Sequence, residues 1–219
     1  MRGSAPTARR ASTPRTVLPP EFYERPTELV ARELLGTILE CRTREGVASG
    51  RIVETEAYLG EHDLACHAAA GRTARTDPLY GPPGIAYVYF IYGMYWCFNA
   101  VTRAKDEPSA VLVRALEPIS GMDLMRARRG LRARRDVDLT NGPGKLCQAL
   151  GIDSRHNRTS LQSPPLVIRR GVDVPRQAVT VTPRIGISRS ADWPLRWFIS
   201  DNAYVSKTPA SFPRLTADY

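Results

Sequence analysis

Lysine is almost missing from this 219-residue chain. Only Lys105, Lys145 and Lys207 stand among its 31 basic residues, and the rest are arginine. Chemistry that needs an amine nucleophile therefore has three candidates. Cysteine occurs four times with no CxxC pair, and histidine three times. A structural zinc wants four ligands in paired groups; His62, Cys66 and His67 form one cluster without a second, so a metal is not expected. No run of about 18 apolar residues is present, which argues against a membrane-spanning helix. No apolar signal segment opens the chain. Scattered cysteines without such a segment suggest reduced thiols and a cytoplasmic protein. Linkers, repeats and breaks in composition are also missing, as expected for one domain of ordinary size.

What the chain does have is positive charge. Its 31 basic and 22 acidic residues leave a net charge of +9, which favours a polyanion such as nucleic acid. The run Arg126–Arg135 (RARRGLRARR) is either a phosphate-neutralising face or only a solvated one. Lys145 opens the helix-like PGKLCQAL, where a helix N-terminus beside a cation suits phosphate.

Residues 1–16 are small, polar and basic without periodicity, so a disordered arm is expected there. Residues 17–207 read as the domain, and 208–219, with Pro209 and Pro213, as an irregular tail. The spacing predicts a helix from Thr27, as N-cap, to Leu35, and strands at 37–41 and 51–59. A long loop over 60–84 follows, of the kind that is usually functional. A hairpin over 85–101 turns at Gly93–Met94, and 110–116 is a strand. Helices are expected over 122–135 and 143–150, with short strands near 166–169, 184–187 and 197–200. Strands adjacent in sequence and joined by hairpins favour an α+β domain: a mainly antiparallel, curved sheet surrounded by helices, with a protruding hairpin.

The chemistry concentrates between Arg51 and Asn99. Alternation along RIVETEAYL puts Ile52, Glu54, Glu56 and Tyr58 on one strand face. Two carboxylates and a phenol on one face suit the wall of a polar cleft. Arg114 lies on a strand between apolar Leu112 and Leu116, so an inward guanidinium there needs a carboxylate or phosphate partner; Glu54 has a structural alternative of its own, pairing with an arginine. In YVYFIYGMYW, Tyr87 and Tyr89 share a face, while Tyr92 and Met94 sit at the tip. An aromatic on a protruding tip is costly unless something packs on it, and a nucleobase is a suitable partner in a basic protein.

ETEAYLG with a following His, YVYFIYGMYWCFN, VLVRALEP and NGPGKLCQALGI, in this order over most of the chain, resemble the alkyladenine (3-methyladenine, or methylpurine) DNA glycosylase family. That resemblance implies a monofunctional base-excision enzyme without metal or redox cofactor. Such an enzyme flips alkylated or deaminated purines out of duplex DNA and hydrolyses the N-glycosidic bond, leaving an abasic site. It further implies Glu56 as the carboxylate that activates water and Arg114 as the arginine holding that water. Tyr58, His67 and Tyr89 would enclose the flipped base, Tyr92 would enter the duplex in its place, and Asn99 would disfavour normal guanine. Met94 and Lys145 complete the expected DNA contacts. The loop GRTARTDPLYGPPG departs from the family, which commonly has Pro at Ala74 and Asn at Thr76. A monomer acting on the bacterial nucleoid is the corresponding expectation.

Elementary energetics agree with the resemblance. Extruding a base costs a few kcal/mol, and stacking on an aromatic returns roughly 1–3 kcal/mol. N3- and N7-alkylated purines are cationic, so tyrosine faces attract them, and the same charge makes them good leaving groups. The rival enzymes fit less well: a zinc deaminase needs a PCxxC signature that is missing, and a lyase needs a lysine amine near the site, for which only Lys145 qualifies. The non-catalytic alternative is a basic nucleic-acid-binding module stacking bases on tyrosines. A buried acid beside phosphates argues against it.

Overall fold

The computed structural model describes residues 16–216, so the expected basic arm lies outside the described residues apart from Thr16. The chain opens with two short helices, α1 (Pro20–Tyr23) and α2 (Thr27–Glu33). The hairpin of β1 (Ile38–Thr43) and β2 (Gly46–Tyr58) follows. After the long loop, β3 (Ala86–Ile91) and β4 (Tyr95–Val101) form a second hairpin, and β5 (Ala110–Ser120) continues from it. Helices α3 (Met122–Arg129) and α4 (Pro143–Leu150) come next. Short strands β6 (Gln162–Ser163), β7 (Leu166–Arg169), β8 (Val179–Thr182), β9 (Arg196–Ile199) and β10 (Leu215–Thr216) complete the domain.

Every strand pairing among these elements is antiparallel, in one curled half-barrel sheet of the expected α+β class. Strand β2 is its spine. One edge of β2 pairs with β1 and then with β9, and the other edge runs along β5. Helices α2 and α4 cover one face, burying Val30, Ala31, Leu34, Leu146 and Leu150 with Val111 and Val113 of the sheet. Each valine or leucine among them contributes roughly 1.5–3 kcal/mol when fully removed from water. The Thr55 hydroxyl donates to the carbonyl of Ala31 at 2.8 Å, fixing α2 on β2.

Several sequence expectations are corrected here. Thr27 is not the N-cap of α2: Pro26 holds that position, and the Thr27 hydroxyl is bonded to that of Thr102 at 3.0 Å. Alternation along β2 does not run unbroken, because its pairing with β5 shifts register between Ile52 and Glu54 and again at Thr55. The extra residue turns Ile52 and its partner Leu116 into the core, away from the face of Glu54 and Arg114. The helix expected over 122–135 stops at Arg129, since Gly130 takes a left-handed φ of 55°. Residues 184–187 are a loop; the strand is β8, just before it, and Arg184 leaves the sheet to bury its charge against Asp63. The segment read as an irregular tail ends, within the described residues, on β10, paired with β8.

Candidate active site

Behind the β3–β4 hairpin lies a cavity of about 410 Å³, within the range of small-ligand sites. Tyr58 of β2, His67 of the long loop, Tyr89 and Asn99 of the hairpin and Arg114 of β5 all line it, with Tyr92 at its rim. The β pleat explains this convergence: Tyr87 and Tyr89 alternate with Val88, which turns into the main core, and with exposed Phe90, which packs against Trp96 with ring centroids 4.7 Å apart. The ring of His67 stands edge-on to Tyr89, with centroids 4.5 Å apart, and its Nδ1 lies 2.8 Å from the Tyr87 hydroxyl. The Asn99 amide donates to the carbonyl of Tyr87 at 3.1 Å, which fixes its orientation at the wall.

The register shifts in β2 and β5 bring two carboxylates and one guanidinium into a single buried unit. Arg114 donates from Nε to Glu54 at 3.0 Å and from Nη1 to Glu56 at 3.1 Å. Glu54 also accepts from Arg196 Nε at 2.7 Å, and from the Ser206 hydroxyl and amide, each at 2.7 Å. Burial alone would raise the Glu54 pKa, yet Arg114, Arg196 and the Ser206 hydrogen bonds outweigh it and hold the carboxyl below its ordinary value. Burial likewise disfavours charge on Arg114, but Glu56 and Glu54 overcome it and raise its pKa. Glu54 is therefore the fixed counter-ion that anchors Arg114 against Glu56.

Glu56 has no exposed surface and is not itself among the lining residues; its three donors are. The Tyr58 hydroxyl reaches Oε2 at 2.9 Å beside Arg114, and the Ile185 amide reaches Oε1 at 2.7 Å. A carboxylate offers about four acceptor positions, so one remains, on Oε1 next to Ile185. Burial first, and Glu56 second, push the Tyr58 phenol well above its usual pKa, so it remains a hydrogen-bond donor.

Burial, aided by the positive charge of Arg75, lowers the His67 pKa from 6.5 to about 4. The imidazole is thus neutral near pH 7 in the folded protein. Below pH about 6.5 the unfolded chain binds the proton first, so this stabilisation is lost as pH falls toward about 4. Thermal unfolding of His67→Gln between pH 7 and pH 5 is expected to show a shallower loss of stability than the parent; identical slopes would refute a buried neutral His67.

The remaining expected residues lie apart from the cavity wall. Met94 is exposed at the hairpin tip, and Lys145, in the first turn of α4, donates to Asn141 Oδ1 at 2.7 Å. The cluster His62, Cys66, His67 does not converge: His62 lies against Trp193, Cys66 is buried, and His67 faces the tyrosines. Among the described residues, no three His, Cys, Asp or Glu side chains gather to hold a metal ion. Sequence reasoning missed Ile185, Arg184, Arg196 and Ser206. The first acts through its backbone, which carries no residue-type signal, and the other three lie over 120 residues from their carboxylate partners in the chain.

A family model described as Methylpurine-DNA glycosylase (MPG) matches residues 21–203. A Myxococcus xanthus protein with the printed name "Putative 3-methyladenine DNA glycosylase" is 50% identical over 195 residues, covering 88% of this chain and 94% of its own. Proteins of the same name from Methanoculleus marisnigri and Carboxydothermus hydrogenoformans are 48% and 44% identical, covering 87% of this chain and 98% and 99% of theirs. Among the described residues, no helix is long and apolar enough to cross a membrane.

Proposed function

Because the chain belongs to the methylpurine-DNA glycosylase family, we propose that it flips damaged purines out of duplex DNA into the tyrosine-walled cavity. There it hydrolyses their N-glycosidic bonds with a water activated by Glu56. The substrates in this reading are 3-methyladenine, 7-methylguanine, hypoxanthine and ethenoadenine. The observation that carries it is the Glu54–Arg114–Glu56 unit directly behind a cavity faced by Tyr58, Tyr89 and His67.

Water enters between Tyr58, Arg114 and Ile185 and donates to the vacant position on Glu56 Oε1. As the bond from C1′ to the purine nitrogen breaks, its electron pair leaves with the base and positive charge grows on the sugar. The water oxygen bonds C1′ while its proton passes to Glu56, whose charge has stabilised the oxocarbenium-like centre. A cationic alkylpurine departs neutral, so it needs no acid. His67, neutral near pH 7, contributes its ring and its bond to Tyr87. Assaying base release from a panel of single-lesion duplexes tests this reading: alkylated purines should be released and normal purines retained, and release from no lesion would reject it.

Tyr92 is the proposed wedge. It is 77% exposed and, with Gly93, takes left-handed φ angles of 55° and 65°, closing the hairpin through a bond from the Met94 amide to the Ile91 carbonyl. These angles fit the mirror-image turn that suits a twisted hairpin, but Asn or Gly is its usual occupant. A tyrosine there accepts backbone strain of order 1–3 kcal/mol while burying little of its ring. Tyr92→Ser is expected to weaken affinity for a lesion duplex roughly 10- to 100-fold, from the ~1–3 kcal/mol of stacking lost. Unchanged affinity in a binding titration would remove Tyr92 from this role.

A further inference from the structure

The arginine run 126–135 separates into two groups in the folded chain. Four of its six arginines are already engaged. Arg126 bridges Asp123 and Asp136, at 3.0 and 2.9 Å, and Arg128 holds Glu45 at 2.7 Å together with the carbonyl of Ala149. Arg129 is buried on Gln148, and Arg135 is paired with Asp138 at 3.0 Å. These side chains fasten α3 and the turn after it to the body of the protein; Arg126, Arg128 and Arg135 are paired with carboxylates, and Arg129 is buried on a neutral amide and a carbonyl.

Arg132 and Arg134 differ. Both are exposed, and neither has a hydrogen bond or ion pair among the described residues. Between them Ala133, in an extended conformation, packs against the core. Extended backbone alternates its side chains, so anchoring Ala133 inward directs both neighbours outward. Leu131, which precedes them, is 99% exposed, so the turn projects into solvent on either side of Ala133. It follows α3, which packs on α4, whose first residues Pro143 and Gly144 line the cavity. Arg129 is within electrostatic range of both Arg132 and Tyr95, and Tyr95 lines the cavity and packs over Gly144 at the start of α4.

We propose that Arg132 and Arg134 form a second DNA anchor, gripping backbone phosphates of the duplex outside the damaged nucleotide while the hairpin tip engages the lesion. The proposal rests on the chain acting on duplex DNA. A projecting turn with two uncompensated guanidiniums suits a polyanion, and arginine forks match phosphate oxygens. Contacts of this kind add affinity and orientation without reading sequence.

The salt dependence of binding to a duplex carrying a tetrahydrofuran abasic analogue tests it. Each phosphate contact contributes about 0.9 to the slope of log affinity against log salt, so Arg132→Ser/Arg134→Ser should reduce that slope by about 1.8. The single-turnover excision rate at saturating enzyme should stay at the parental value. Arg126→Ser, a run member already bridged by two aspartates, should leave the slope unchanged. An unchanged slope in the double variant, or an equal loss in Arg126→Ser, would overturn the assignment, as would loss of the maximal rate. Failure of the excision reading is separable: a parent protein that releases no base, but whose slope still drops in the double variant, would keep this anchor and lose the chemistry.

Discussion

Glu56→Gln is expected to lower the single-turnover excision rate by about 10³-fold while affinity for an abasic duplex stays near the parental value. The magnitude follows from what a positioned general base contributes, typically 10²–10⁴-fold. Glutamine has nearly the same shape but cannot take the proton of water, and it brings no charge to a cationic sugar. Its amide also fits the donors poorly. With its oxygen toward Arg114 and Tyr58, its NH₂ faces the Ile185 amide, leaving that donor unpaired at a cost of about 1–3 kcal/mol. Arg114 keeps Glu54, so the fold should survive. Glu54→Gln should behave differently, because it places an uncharged group between Arg114 and Arg196. Breaking a buried pair of this kind costs about 3–5 kcal/mol, so stability should fall together with activity. Single-turnover kinetics alongside thermal unfolding separates the two carboxylates. A Glu56→Gln enzyme retaining the parental rate would remove Glu56 from the chemistry, and one that has lost abasic binding as well would point to misfolding.

Arg184→Met should destabilise the protein by about 3–5 kcal/mol, because it strands a buried carboxylate. Both Arg184 and Asp63 have fully buried side chains. Arg184 donates to Asp63 Oδ1 at 2.8 Å and to the carbonyls of Ala57 at 2.9 Å and Ser190 at 3.2 Å. In a domain of this size the unfolding midpoint should drop by roughly 10 °C, at about 2–4 °C per kcal/mol. Activity should suffer beyond what stability explains. The guanidinium lies 4.7 Å from the Tyr58 ring centroid and ties down the loop that presents the Ile185 amide to Glu56. Excision measured well below the lowered midpoint should therefore remain slow. Asp63→Asn should destabilise as well, because its single amide oxygen can keep only one of the bonds from the Leu59 and Ala65 amides and its NH₂ faces the other donor and Arg184. A midpoint in Arg184→Met within 2 °C of the parent would show that the pair contributes little.

Local pattern made the secondary elements around the cavity legible. The hairpin of β3 and β4, the helix α4 and the strand carrying Glu56 each rest on alternation, a turn signal or a cap within a dozen residues. Residues 184–187, Arg-Ile-Gly-Ile, alternate like a strand, yet the burial of Arg184 against a distant aspartate pulls them from the sheet. Ile52 departs from the face that simple alternation gives it for a related reason: a bulge is set by the partner strand, and one inserted residue reverses every face beyond it.

The order of residues alone was enough to indicate an α+β domain, a polyanionic partner and a family resemblance, because composition, periodicity and contiguous motifs are properties of the chain itself. Folding determined the rest. Glu54 and Glu56 look equivalent in ETEAY, yet one accepts two guanidiniums and a serine from β5, β9 and the segment after β9, while the other keeps a vacant acceptor position behind the cavity wall. Six arginines in one run look alike too, and only the placement of Asp123, Asp136, Glu45, Gln148 and Asp138 decides which two keep their donors for a partner. Burial and ion pairing depend on neighbours brought from far along the chain, and those neighbours exist only once the sheet has curled.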